Sequence, residues 1–406
     1  MKVEDTYVNL IKDVFYLLSV AQDLDEKGKY DHGIRVALLA EKIASLMLPE
    51  ETDLLFFAGL LHDIGGLGSR NHILHHPDLI DQIQDPDIFE HPYRGVHLIR
   101  MFPTLFKGQY KMSDYIFEHH EWWKGVGYPR QYKGEEIFLG ARILRAADAF
   151  DIYSRRGGDT SKEQILPQNA FPILEVNEEI DPAIFKVLQD IVKDTEFMNF
   201  YLNPQERILE YIRVKNLDLI LDVKDEDALF SFIGYLIDFK IDSNGIGHSE
   251  GDVHYSVQIA RALKLDETEV TQIGRAAYLH DIGKLSIPHV VLNKPAWLTE
   301  QEWQIVKKHS EVTAQLLESI PSLKKYSFAG AHHERWDGKG YYQGLKEEEI
   351  PLGARIISVA DALDAMTSKR PYRPVLTFKE ALSELEKNSG TQFDPKIIEV
   401  TLEIYK

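Results

Sequence analysis

Apolar residues recur along this chain with the 3.6-residue period of an α-helix, and no convincing run of strand-type alternation interrupts them. Thr299-Glu300-Gln301-Glu302 has the form of a capping box and predicts a helix running to Pro321. On that helix Ile305, His309, Val312 and Leu316 share one face, which puts His309 on a buried stripe. Residues 266–282 repeat the pattern, with Val270, Ile273, Ala276 and Ala277 on one side and His280-Asp281 at the C-terminal end. Gly283 then suits a left-handed helix stop. The segments 226–240, 250–264, 350–366 and 394–405 carry the same periodicity. The polar, Gly-containing stretch 154–170 predicts a loop, and 203–222 a connector. The fold class expected is all-α.

Chemistry-bearing residues recur on a much longer period. His32, His62-Asp63, His91, His119-His120 and Asp148 in the first half answer to His248, His280-Asp281, His309, His332-His333 and Asp361 in the second. The interval 62 to 91 equals 280 to 309, 119 to 148 equals 332 to 361, and 148 to 181 equals 361 to 394. LLHDIGG pairs with YLHDIGK, HHEWWKGVGYP with HHERWDGKGYY, and LGARILRAADAFD with LGARIISVADALD. Such matching requires a duplication, far longer in period than a solenoid repeat. The domains expected are 1–202 and 223–406, joined by the connector.

The 406 residues suffice for two cores of ordinary size. A formal charge of −19 excludes a broad basic surface for a nucleic acid polymer. With no cysteine, thiolate metal sites and cysteine nucleophiles are ruled out. MKVEDTYVNL lacks the basic and apolar regions of a signal peptide, and no apolar run approaches a membrane span, so a cytoplasmic protein is expected. Five imidazoles and two carboxylates per copy form the donor set of a dinuclear site, for which Fe, Mn, Zn or Ni is suited. A carboxylate such as Asp281 can bridge two ions, and paired ions stabilise both oxygens of an in-line phosphoryl displacement. His254 lies six helical residues beyond His248 and cannot share its inward face, so His248 is the expected ligand.

Residues 240–406 resemble the HD-GYP family of cyclic-dinucleotide phosphodiesterases. The resemblance rests on His280-Asp281-Ile282-Gly283-Lys284, Leu292-Asn293-Lys294-Pro295, His332-His333-Glu334-Arg335-Trp336-Asp337-Gly338-Lys339-Gly340-Tyr341, Asp361-Ala362-Leu363-Asp364, Arg370-Pro371-Tyr372-Arg373 and Gly390-Thr391-Gln392-Phe393-Asp394-Pro395. It implies tandem HD-domain helical bundles, of which the first, resembling the wider HD group, is degenerate. It further implies that His248, His280, Asp281, His309, His332, His333 and Asp361 hold two divalent ions, Fe or Mn before Ni or Zn, with Asp281 and Lys284 catalytic. Lys284, Arg370 and Asp364 would meet the substrate, while Trp336 and Tyr341 pack their loop.

The pattern is incomplete in places. Tyr342 stands where the family name has proline, and Asn244 (Gly28 in the first copy) replaces the glutamate of trinuclear members, which favours two metals. In the first copy Gly66 replaces the lysine, Lys124 the aspartate of the DG pair, and Ser154-Arg155-Arg156-Gly157-Gly158 the RPYR segment. That copy, with His32, His62, Asp63, His91, His119, His120 and Asp148, is expected to bind metal weakly or structurally and to turn over little substrate. His72, His75 and His76 are expected to be polar loop residues. The activity implied is hydrolysis of cyclic di-GMP or a related cyclic dinucleotide to the linear dinucleotide, with mononucleotide as a further product. Specificity for 3',3'-cyclic GMP-AMP and a non-catalytic cyclic-dinucleotide sensor are the alternatives. A signalling-protein partner is compatible with either.

Overall fold

The structure is a computed structural model, and it describes residues 3–24, 31–67, 69, 79–103, 106, 110–155, 166–216, 226–241, 248–368 and 375–405. Outside them lie Gly28, His72, His75, His76, residues 156–165 and 217–222, Asn244 and the Lys369–Arg373 segment, Arg370 included. The described residues are helical, with a single isolated bridge, Ser389 to Phe393, in place of any strand. No helix among them is long and apolar enough to cross a membrane. The chain divides into two compact units, Met1–Asp225 and Glu226–Lys406.

In the first unit the helices Val3–Leu24, His32–Met47, Thr52–Leu61, His91–Met101, Tyr110–Glu118 and Leu139–Ser154 surround a core that includes Ile11, Phe15, Leu39, Phe57 and Phe150, all fully buried. Much of the expected connector belongs to this unit. Its helix Ile208–Arg213 buries Ile208 and Ile212, Tyr211 donates to Glu41 at 2.8 Å, and Lys12 donates to the Arg213 carbonyl at 2.7 Å. Apolar residues at two positions four apart were enough to dock a segment whose composition reads as a linker.

The second unit contains Glu226–Ile241, His248–Ala262, Glu267–Leu279, Glu300–Ser319, Leu352–Thr367, Phe378–Lys387 and Pro395–Tyr405. Thr299 caps Glu300–Ser319 through the expected capping box, and Asp266 caps Glu267–Leu279 in the same way. The buried face of Glu300–Ser319 is rotated from the expected one. It consists of His309, Ser310, Thr313, Ala314 and Leu317, while Ile305 is 38% exposed. The rotation follows from hydrogen bonding: Thr313 donates to the His280 carbonyl at 3.1 Å and accepts from the Gly283 amide at 3.0 Å. A hydroxyl that satisfies two buried backbone groups outweighs one more apolar contact.

Candidate metal centres and active site

Both His-Asp pairs sit where a helix gives way to a tighter turn. Thr52–Leu61 ends on His62 and Glu267–Leu279 on His280, and each is followed by a 3-10 turn, Ile64–Gly66 or Ile282–Ser286. The glycine inside the turn permits close approach and is not a left-handed stop as expected. A Cβ on Gly283 would lie 2.1 Å from the His309 carbonyl oxygen, and one on Gly65 2.0 Å from that of His91. Each glycine thereby lets the turn seat against the helix that carries the next histidine.

The turn delivers the aspartate to the centre of the cluster. Asp281 Oδ2 lies 3.3 Å from His280 Nε2, while its Oδ1 lies 3.3 Å from His309 Nε2 and 3.6 Å from His332 Nε2. In the first unit Asp63 Oδ2 faces His62 Nε2 at 3.5 Å, and Oδ1 faces His91 and His119 Nε2, both at 3.6 Å. Each aspartate has one oxygen toward each of two donor groups, the disposition of a bridging carboxylate. In the second unit the groups are His248 with Asp252 and Asp361, and His309 with His332 and His333; His280 and Asp281 lie between them. In the first they are His32, His62 and Asp148, and Asp63, His91, His119 and His120.

Ring orientation is fixed from behind. Nδ1 of His280, His309 and His332 faces the carbonyl three residues earlier, at 2.6, 2.6 and 2.7 Å, and His62, His91 and His119 do the same at 2.7, 2.6 and 2.5 Å. A carbonyl only accepts, so the proton resides on Nδ1 and the Nε2 lone pair faces the cluster. His248 uses a carboxylate instead: its Nδ1 bonds Asp364 Oδ2. Asp364, expected at the substrate, is 4% exposed and engaged by His248 and by Ser368 Oγ at 3.0 Å, so it positions a ring. Asp151 holds His32 in the same way at 2.7 Å. His254 is exposed on the far side of its helix, as expected.

These donor sets fit divalent cations. His280 Nε2, Asp281 Oδ1, His62 Nε2 and Asp148 Oδ1 are enclosed yet make no hydrogen bond, a costly state unless an ion completes it. Burial pushes His309 and His333 down to about 3, leaving them in the neutral form that ligates. His280 runs the other way. Burial opposes its charge, but Asp281, Asp252 and Asp361 push it up to about 10. Without an ion its Nε2 therefore carries a second proton, which a cation held among those carboxylates would displace to free the lone pair.

The two clusters differ in access and charge. His248 and Asp361 are 20% and 21% exposed, whereas His32 and Asp148 are each 2% exposed. At the open cluster Lys284 ion-pairs with Asp281 and keeps its side chain 19% exposed. Gly66 takes that position in the first unit. The closed cluster contains guanidinium groups instead: Arg35 donates to Asp151 at 2.6 Å, and Arg145 to Asp148 at 2.9 Å. Tyr341 packs its ring 5.1 Å from that of His333, and Trp336 lies under Arg355 at 5.7 Å, both holding the loop after the double histidine.

Asp252 is a site residue that the repeat could not reveal. It is fully buried, neither carboxylate oxygen has a hydrogen-bond partner, and Oδ2 lies 3.8 Å from His280 Nε2 and 3.7 Å from His248 Nδ1. The corresponding residue of the first unit is Val36, so no register marks it. A lone aspartate at an inward position of an amphipathic helix was the available signal.

Fold and clusters together define a helical protein with a His/Asp cluster in each unit whose donors suit divalent cations. The HD domain family description matches residues 17–184 and 242–397, and the chain belongs to that family, with one copy in each unit. It is 33% identical over 280 residues to 3'3'-cGAMP-specific phosphodiesterase 3 of Vibrio cholerae, across 68% of this chain and 59% of the relative. It is 40% identical over 187 residues to a cyclic di-GMP phosphodiesterase of Thermotoga maritima, across 45% of this chain and 50% of the relative. The chain thus spans between half and three-fifths of the length of these relatives. The crystal structure of a cyclic GMP-AMP specific phosphodiesterase of V. cholerae, V-cGAP3, superposes with a TM-score of 0.65 at 25% identity, covering 97% of each chain.

Proposed function

We propose that the chain is a metal-dependent phosphodiesterase that opens cyclic dinucleotides at the cluster of the second unit. The observation that carries the reading is the solvent-open second cluster, in which six other donors stand around Asp281 and a lysine lies beside it. Divalent ions held there, Fe or Mn in the first instance, supply Lewis acidity and positive charge to a phosphodiester. His248, His280, Asp281, His309, His332, His333 and Asp361 hold them, with Asp281 between the two donor groups. Lys284 binds a non-bridging phosphate oxygen and offsets charge that accumulates on it. Asp364 keeps the His248 ring in register, and Arg370, outside the described residues, is assigned to the substrate phosphates on the family resemblance. The local cation matters because a dianionic ligand approaches a chain of net charge −19.

The relatives' names support a cyclic dinucleotide over other phosphodiesters, and cyclic GMP-AMP is the first candidate because it appears in the name of the V. cholerae relative and in that of the superposed V. cholerae structure. Cyclic di-GMP follows on the Thermotoga likeness. The working compartment proposed is the cytoplasm, where such messengers and a signalling partner would be met. Purified chain reconstituted with Fe or Mn and given both nucleotides together should yield linear dinucleotide, resolved by chromatography and mass spectrometry. If both nucleotides stay intact while the metal is bound, the reading fails in favour of a sensor.

A further inference from the structure

Arg145 stands three residues before the last aspartate of the first cluster, where the second has Ser358. It is 3% exposed; its Nη1 donates to His120 Nδ1 at 3.0 Å and to Asp148 Oδ2 at 2.9 Å, and its Nη2 ion-pairs with Glu179. A guanidinium has nothing to accept with, so His120 Nδ1 must be the accepting nitrogen. In the neutral imidazole the proton then resides on Nε2, opposite to every ring held by a carbonyl in either cluster. His120 Nε2 lies 3.1 Å from His91 Nε2, and His91 has its own proton on Nδ1, facing the Ile88 carbonyl. The pair closes as His120 Nε2–H donating to His91 Nε2.

Two consequences follow for the group Asp63, His91, His119 and His120. His120 offers no inward lone pair, and that of His91 is taken. Only Asp63 and His119 remain, fewer donors than an ion needs. The other group keeps its geometry: His32 Nε2 lies 3.4 Å from Asp148 Oδ1, and neither Asp148 Oδ1 nor His62 Nε2 makes a hydrogen bond. Charge agrees. Asp63, Asp148, Asp151 and Glu179 are balanced in large part by Arg35, Arg145 and Arg155. Among the described residues, Asp281, Asp361 and Asp364 of the second cluster have Lys284, and the buried Asp252 holds its proton.

We propose that Arg145 takes the place of one of two cations in the first cluster, so that the first unit holds one divalent ion, at His32, His62 and Asp148, where the second holds two. The inference rests on reading both clusters as metal centres. Glu179 corresponds to Gln392: the Trp123 amide donates to the Glu179 carbonyl at 2.9 Å and the Trp336 amide to that of Gln392 at 3.1 Å. The double variant R145S/E179Q therefore installs the second unit's own pair and leaves no buried glutamate unpaired.

The test counts metal on the full chain, stripped with chelator, reloaded with Mn(II), desalted and measured by elemental analysis. Wild type should hold three ions per chain, H280A/D281A one, and R145S/E179Q on the H280A/D281A background two. Two ions on H280A/D281A with Arg145 intact, or no gain in the quadruple variant, overturn the proposal. Nitrogen-15 spectra of the histidines in the unsubstituted protein loaded with diamagnetic Zn(II) supply a readout that needs no variant to fold: His120 should be protonated on Nε2, and protonation on Nδ1 overturns the proposal. A wild-type chain with no more metal than H280A/D281A refutes the contrast between the units and, with it, the metal reading of the second cluster. Failure confined to the Arg145 variant leaves that reading standing.

Discussion

Replacing Asp252 by valine, the residue the first unit has at the corresponding place, should move stability and metal binding in opposite directions. Burial, reinforced by Asp361 and Asp364, pushes the Asp252 carboxyl up to about 8 from an ordinary 3.8. An acid whose folded value lies above its unfolded value binds a proton in the folded state that the unfolded chain has released. Stability therefore falls as pH rises from about 4 to about 8, with the full contribution present only below the unfolded value. At pH 7 the loss in the metal-stripped protein is on the order of 2–4 kcal/mol, from about 1.4 kcal/mol for each pH unit above 3.8. The Asp252→Val protein without metal should thus melt higher, by about 4–16 °C for a unit of this size, and the gap should close as pH falls toward 4. Added Mn(II) should reverse the order, since an ion that binds only the folded state stabilises in proportion to its affinity. The assay is calorimetry of stripped and loaded protein from pH 4 to 8. A stripped variant less stable than wild type at pH 7, or one that gains as much from Mn(II), would refute the assignment of Asp252 to the metal edge.

Three further outcomes are expected. Asp364→Ala removes the acceptor behind His248 and should weaken metal binding at the second cluster by about 10–100-fold, read by competition with a chelating dye, with little change in cyclic-dinucleotide KM for fully loaded enzyme. Lys284→Gly, which installs the residue of the first unit, should leave metal content unchanged and reduce kcat/KM by about 100-fold or more; unchanged kinetics would dismiss the lysine from the reaction. Gly283→Ala places a Cβ 2.1 Å from the His309 carbonyl and should destabilise the second unit by about 3 kcal/mol or more, whereas Gly66→Ala, with nothing within 4 Å of its Cβ, should be tolerated.

The histidine register was legible because duplication supplied its own control: seven positions kept their residue type while their surroundings diverged. Helix positions followed from the capping signal at Thr299, which the fold uses directly, and from apolar periodicity over 266–282. What escaped was whatever the two copies do not share, or what packing alone decides. Asp252 and Arg145 are each opposed by an uncharged residue in the other copy, and a charged residue on a helix reads as solvent-facing until its neighbours are known. Asp364 reads as a substrate contact because it travels with the motif, yet its carboxylate lies behind the His248 ring. The face of Glu300–Ser319 was misjudged because hydroxyls rather than aliphatic groups point inward, toward the carbonyl and amide of the His-Asp turn.

If one of the two similar clusters does the chemistry, hydrolysis by cluster-specific variants will show it directly. With metal-loaded full chain and cyclic GMP-AMP or cyclic di-GMP as substrate, Asp281→Ala should reduce product formation to background, and Asp63→Ala should retain most of the wild-type rate. Equal loss in both variants, or activity that survives Asp281→Ala and disappears with Asp63→Ala, would contradict the assignment of catalysis to the second unit.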